Sequence, residues 1–151
     1  MTGDGTGVEA GERIKAVAAV EILLRIWRQT VDCFPDDDLE TILVYLTVAA
    51  ASTTSHLRDP ELIAELDGGA LPDALHRPTS GRAVAEATGL PRETVRRRLD
   101  ALVVAGRLAR DERGVRTISN TIMHDRNLEF VRFLIRELSV ASTKLGRFGP
   151  T

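Results

Sequence analysis

Apolar residues recur at helical spacing through most of the chain. From Glu12 to about Cys33, Val20, Leu24, Trp27, Val31 and Phe34 share one stripe, which Ile22, Leu23 and Ile26 widen. Phe34-Pro35 breaks this helix, and Asp36-Asp37-Asp38 opens a second that runs to about Thr54, with Leu39, Ile42, Leu43 and Leu46 as its expected buried face. Its end, Val48-Ala49-Ala50-Ala51-Ser52, is small enough for close helix packing. Asp59 as N-cap and Pro60 as first residue start a short helix, PELIAEL, which Asp67-Gly68-Gly69 ends. Leu71 to Pro78 reads as irregular chain or a brief helical turn.

Two short helices and a hairpin are expected next. The first runs from about Ser80 to Ala87, capped by Thr79 or Ser80, with Val84 and Ala87 inward. Gly89 allows the turn, because it takes φ > 0 without steric cost, and Pro91 suits the first position of the following helix. In that helix Val95, Leu99, Leu102 and Val103 form one buried stripe, and Gly106 stops it. Leu108 and Val115–Ile118 are strand-like around the polar turn Asp111-Glu112-Arg113-Gly114. A last helix, Asn120 to about Lys144, carries Leu128, Val131, Leu134, Ile135 and Leu138 on one stripe, with Arg126, Glu129, Arg132 and Arg136 around it. The fold class expected is mainly α with a small β-hairpin. It divides into a disordered lead-in (1–11), an N-terminal helical part (12–77), the helix-turn-helix and hairpin (78–119), and a C-terminal helix with a frayed tail (120–151).

Charge changes the picture. The net charge is −2, yet Arg77 to Thr117 holds ten arginines against five acids, +5 in an otherwise −7 chain. Such a patch in an acidic protein is the footprint of a phosphate-binding face. The helix after the Gly89 turn puts Arg92, Thr94, Arg96 and Arg97 on its outer side, as helix-turn-helix proteins do to address a major groove. Glu93 reads first as a helix-start acid, and second as an acceptor for a cytosine amino group. With one Tyr, one Trp and four Phe, stacking on unpaired bases is disfavoured.

Segment 78–119 resembles the winged helix-turn-helix of bacterial transcriptional regulators of the MarR, GntR and IclR kind. The resemblance rests on the turn Gly89, the helix TVRRRLDAL from Thr94 to Leu102, the Gly106 stop and the turn DERG. It implies a sequence-specific regulator on double-stranded DNA, with the second motif helix in the major groove. By the same resemblance Arg113 at the wing tip meets the minor groove or its phosphates, with Arg110 and Arg116 on the backbone. Ser80 and Arg82 reach phosphate near the start of the first motif helix. Arg98 departs from the family pattern, which has a small or apolar residue there, and is expected to lay its stem over the core. The wide stripes of the first and last helices suggest a homodimer, as in MarR-like proteins.

Little else in the sequence points to chemistry. His56, His76 and His124 share no ligand spacing with Cys33 or an acid, and Asp36–Asp38 lacks the spaced oxygens of a calcium loop. No nucleotide-binding or hydrolase motif occurs, so neither an enzyme nor a cofactor or metal is expected. A lone cysteine fits a reducing cytoplasm, and no signal peptide or long apolar run suggests export or membrane spanning. Two alternatives remain. One is a ligand-responsive regulator with a small-molecule effector between helices, lined by residues such as Trp27 and Leu46. The other is a winged protein-interaction module that binds no DNA.

Overall fold

The computed structural model describes residues 10–56, 58–66, 71–119 and 125–147. The expected stop at Asp67–Gly69, the helix start at Asn120, His124, most of the lead-in and the last residues of the tail lie outside these. The chain forms two compact units, Met1–Cys33 with Glu129–Thr151, and Phe34–Leu128. It is mainly helical with one two-stranded antiparallel sheet.

The first unit holds α1 (Ala10–Cys33) and the body of the last helix, α6 (Asp125–Gly146). α1 starts two residues inside the expected lead-in, so Ala10 and Gly11 are helical rather than disordered. Its buried side is Ala18, Ile22, Thr30 and Cys33, while Val20, Leu24 and Trp27 of the expected stripe stay exposed. In α6 the buried residues are Phe130 and Ala141; Val131, Ile135 and Leu138 are exposed. An ion pair, Arg25 Nη1 to Glu137 Oε2 at 3.3 Å, joins the two helices.

The second unit contains α2 (Leu39–Thr53), α3 (Pro60–Leu66), a 3-10 turn (Asp73–Leu75), α4 (Gly81–Thr88), α5 (Arg92–Val104), β1 (Leu108–Asp111) and β2 (Gly114–Thr117). α2 therefore belongs with the 78–119 segment, where the sequence reading had grouped it with the first helix. It packs on α4, α5 and β2, and α5 packs on β1. α2 buries Ile42, Val44, Tyr45, Val48 and Ser52. Of the expected face only Ile42 is correct: Leu39 and Leu43 are 48% and 40% exposed, and Leu46 is half-buried. This helix is apolar nearly all round, so periodicity alone does not select a side. Polar partners do. Ser52 Oγ accepts the Thr117 N–H at 3.2 Å, and His76 joins the same junction through Nδ1 and Thr117 Oγ1 at 2.8 Å. His76 Nε2 lies 3.0 Å from the Leu71 carbonyl, which can only accept, so this nitrogen donates.

Arginine fastens the start of α2. Arg107 donates through Nη1 to both Asp37 oxygens, at 2.8 and 2.7 Å, with its guanidinium 4.6 Å from the Tyr45 ring centroid. Arg98 donates to Asp38 at 2.5 Å and Glu40 at 2.8 Å. Asp38 caps the helix by accepting the Thr41 N–H at 2.9 Å. The expected cap of α3 is also in place, with Asp59 Oδ1 accepting from Glu61 and Leu62.

One contact sets the sheet against the helices. Thr79 and Val115 exchange backbone hydrogen bonds of 2.8 and 2.9 Å, adding a one-residue third strand beside β2. Gly114 has φ +141°, and a Cβ there would lie 2.3 Å from the Thr79 carbonyl oxygen. Gly114→Ala is therefore expected to cost about 2–3 kcal/mol or more, since strained backbone and a backbone collision add. Gly89→Ala meets open space at φ +71° and is expected to cost about 1–2 kcal/mol. Urea unfolding of both variants checks the order; equal losses would show that the Thr79 approach is not a constraint.

Candidate nucleic-acid interface

Local chemistry places α4 and α5. Ser80, rather than Thr79, is the N-cap of α4, its Oγ accepting the Ala83 N–H at 3.1 Å. Val84 and Ala85 face inward; Ala87, expected there, is exposed. Gly89 ends the helix at φ 71° in the left-handed region, as the turn requires. Pro91 lies one residue outside α5, in extended conformation at ψ 141°, and its carbonyl accepts the Val95 N–H at 3.0 Å. Burial of Val95, Leu99 and Leu102 fixes the rotation of α5, and half-buried Val103 borders them. At its end the Gly106 N–H bonds the Val103 carbonyl and the Arg107 N–H the Leu102 carbonyl, a Schellman stop.

The hairpin follows without a spacer. Asp111 pairs with Gly114 across a two-residue turn, Glu112-Arg113, and Asp111 Oδ1 accepts the Arg113 N–H at 2.7 Å. Hairpin tip, α4 start and α5 enclose an open cleft of about 380 Å³. Of the nine residues expected to bind, Ser80, Arg82, Arg92, Arg96, Arg110 and Arg113 line it. Arg97 and half-buried Thr94 lie elsewhere on α5; Arg97, with Glu93, takes the side away from the buried stripe. Arg116 lines a different cleft of about 660 Å³ on the 3-10 turn side, together with His56, Arg77 and Arg113.

The arginines differ in what already holds them. Arg96 forks between Glu93, at 2.6 Å, and Asp100, at 3.0 Å. Asp100 also receives Arg110 at 2.7 Å, so one carboxylate braces α5 against β1. Arg82 pairs with Glu86 at 2.8 Å along α4. Arg116 is drawn to Asp73 at 3.8 Å and to the Thr117 carbonyl at 3.4 Å. Arg92, Arg97 and the Arg113 side chain are exposed and make no hydrogen bond or ion pair among the described residues. Counting charge along the sequence missed this division and the role of Arg107, whose head bonds Asp37 just before α2; Arg98, set apart in the sequence for its stem, places its head on Asp38 and Glu40. The run Asp36–Asp38 was the available signal for them.

Among the described residues no three His, Cys, Asp or Glu side chains could share a metal ion, and no helix is long and apolar enough to cross a membrane. Cys33 is a buried free thiol. No protein-family model, curated protein or solved structure matches the chain.

Three carboxyls hold their protons less tightly than free side chains do. Asp38 is lowered by hydrogen bonds from Thr41, Asp73 by those from Ser119, and Glu93 by that from Arg96. Their ionised forms thus favour the folded state at any pH above the ordinary values of 3.8 and 4.5. That contribution disappears as pH falls through the lower folded-state values. The urea midpoint is expected to fall between about pH 5 and pH 3. Asp38→Asn, which keeps the cap and drops the charge, flattens the fall; a midpoint that rises on acidification contradicts this assignment.

Proposed function

We propose that the chain is a winged helix-turn-helix regulator of transcription that binds double-stranded DNA as a homodimer. In this reading α5 enters the major groove and the hairpin meets the adjacent minor groove or its backbone. The observation that carries it is the single cleft uniting the start of α4, the cleft side of α5 and the hairpin tip, with five arginines on its walls. Arg97, held by no hydrogen bond or ion pair among the described residues and on the outer side of α5, is the base reader: its guanidinium can donate two parallel bonds to guanine N7 and O6. Arg92, equally free, joins it at the N-terminal half of the helix. Arg96 must leave Glu93 and Asp100 to reach a base, so its role is to position. The Ser80 hydroxyl, which accepts from Ala83, keeps its own proton to donate to a phosphate at the positive end of α4. Arg113 supplies the contact at the hairpin tip. Two-fold pairing would set the α5 helices about 34 Å apart, or a multiple of it, on an inverted repeat. The chain works in the cytoplasm, and no catalytic step is assigned to it.

Duplex binding titrated against salt tests the reading. Log K is expected to fall with log salt at about −0.9 per phosphate neutralised. Arg113→Ala should lower affinity alike on all sequences and reduce the slope by about one unit. Arg97→Ala should cost about 1–3 kcal/mol on a selected site and little on random DNA. Equal losses on both would move Arg97 to the phosphates, and a chain that binds no duplex at low salt is not this regulator.

A further inference from the structure

We propose that α1 pairs with the α1 helix of a second copy, antiparallel, along a seam made by Val17, Val20, Leu24, Trp27 and Val31. This deepens the homodimer of the regulator reading by naming its surface and orientation. α1 is apolar on two sides. One carries buried Ala18, Ile22 and Cys33, with half-buried Ile26 and Gln29. The other carries Val17 at 62%, Val20 at 53%, Leu24 at 60% and Trp27 at 42% exposure, with Val31 half-buried. At about 100° per residue the two sets face opposite ways. The exposed set recurs at alternating steps of three and four, the a and d positions of a coiled-coil seam. A row of large apolar side chains on the exposed side of a helix marks an interaction surface.

Charge identifies that partner. One flank of the seam carries Glu21 and, one heptad on, Arg28; the opposite flank carries Ala16, Leu23 and Thr30, none of them charged. Glu21 makes no hydrogen bond or ion pair among the described residues, and Arg28 meets only Asp32 of its own helix, at 3.3 Å. In a parallel pair each flank faces the opposite flank of its neighbour, which would set both charges against Ala16 and Leu23. In an antiparallel pair like flanks meet. A two-fold axis near Leu24-Arg25 then sets Glu21 of each copy against Arg28 of the other, twice over, while the uncharged flanks meet each other. The pattern is complementary to itself in that orientation alone, which is the condition for a symmetric contact between identical chains. Arg25, which pairs with Glu137 in its own unit, does not compete.

Sedimentation equilibrium of the full chain, with circular dichroism and duplex binding measured in parallel, tests the seam. The wild-type chain is expected to be a dimer at micromolar concentration. Leu24→Glu should leave a monomer with unchanged helix content, since this side chain is exposed. Glu21→Arg and Arg28→Glu, each creating two like-charge contacts per dimer, should weaken association about tenfold singly, and the double variant should return to within about threefold of wild type. The two single variants mixed together should form a heterodimer as tight as the wild-type dimer. A monomeric wild type overturns the seam and the homodimer together. A dimer indifferent to all four variants overturns the seam and leaves a homodimer built on another face. A dimer that responds as expected while no duplex is bound upholds the seam and removes the regulator reading.

Discussion

Thr79 sits between a connector and a helix cap, and its two hydrogen bonds to Val115 hold the cleft in shape. Ser80, the next residue, starts α4, so the hairpin and α4 share one rigid junction. Two backbone bonds are worth only about 1 kcal/mol each. Their leverage comes from position, because both partners are anchored elsewhere. Val115 is buried, and Thr117 is tied to Ser52 and His76. The close approach also explains why the residue before Val115 is glycine, since a side chain there would strike the Thr79 carbonyl. Loosen this contact and the hairpin tip, with Arg113, loses its fixed distance from α5.

A second constraint decides which arginines remain available. Arg98 and Arg107 come from the basic segment but serve the interior, clamping the acidic start of α2. Arg107 donates one nitrogen to both Asp37 oxygens and holds its guanidinium 4.6 Å from the Tyr45 ring centroid. Asp37 and Asp38 are thus the docking counterparts of the α5–β1 corner. Because α2 packs on α4, α5 and β2, this clamp also keeps the helix-turn-helix seated on its support.

Features with local causes were legible in the sequence. Asp38, Asp59, Ser80, Gly89 and Gly106 each act through hydrogen bonds or dihedrals within a few residues, and each occupies the role its chemistry suggests. What depended on distant partners was not legible. The buried side of α2 follows from Ser52, Tyr45 and the arginine clamp, none of which leaves a periodic trace. A single bridging residue such as Thr79 has no strand pattern to detect. For the candidate site, the sequence identified the residue types, and six of the nine expected side chains line one cleft. It could not show that Arg116 turns to Asp73, or that Arg96 and Arg110 share an acid.

That shared acid bears on how the proposed interface would work. Asp100 holds Arg96 on α5 and Arg110 on β1 at once. An anion arriving at either arginine competes with the same carboxylate, so engaging one changes what the other is paired with. Exposed pairs of this kind are individually weak, about 0–1 kcal/mol, so a phosphate can displace them at little cost. In the free chain they still keep two cations oriented toward the cleft instead of sampling solvent. Arg92, Arg97 and Arg113 have no such brace and reach outward at the full entropic cost of ordering. Under the regulator reading the braced pair suits a fixed backbone track, present on every sequence. The unbraced arginines are bound tightly only where a base or phosphate offers enough to order them, and sequence discrimination falls to the two of them on α5, Arg92 and Arg97.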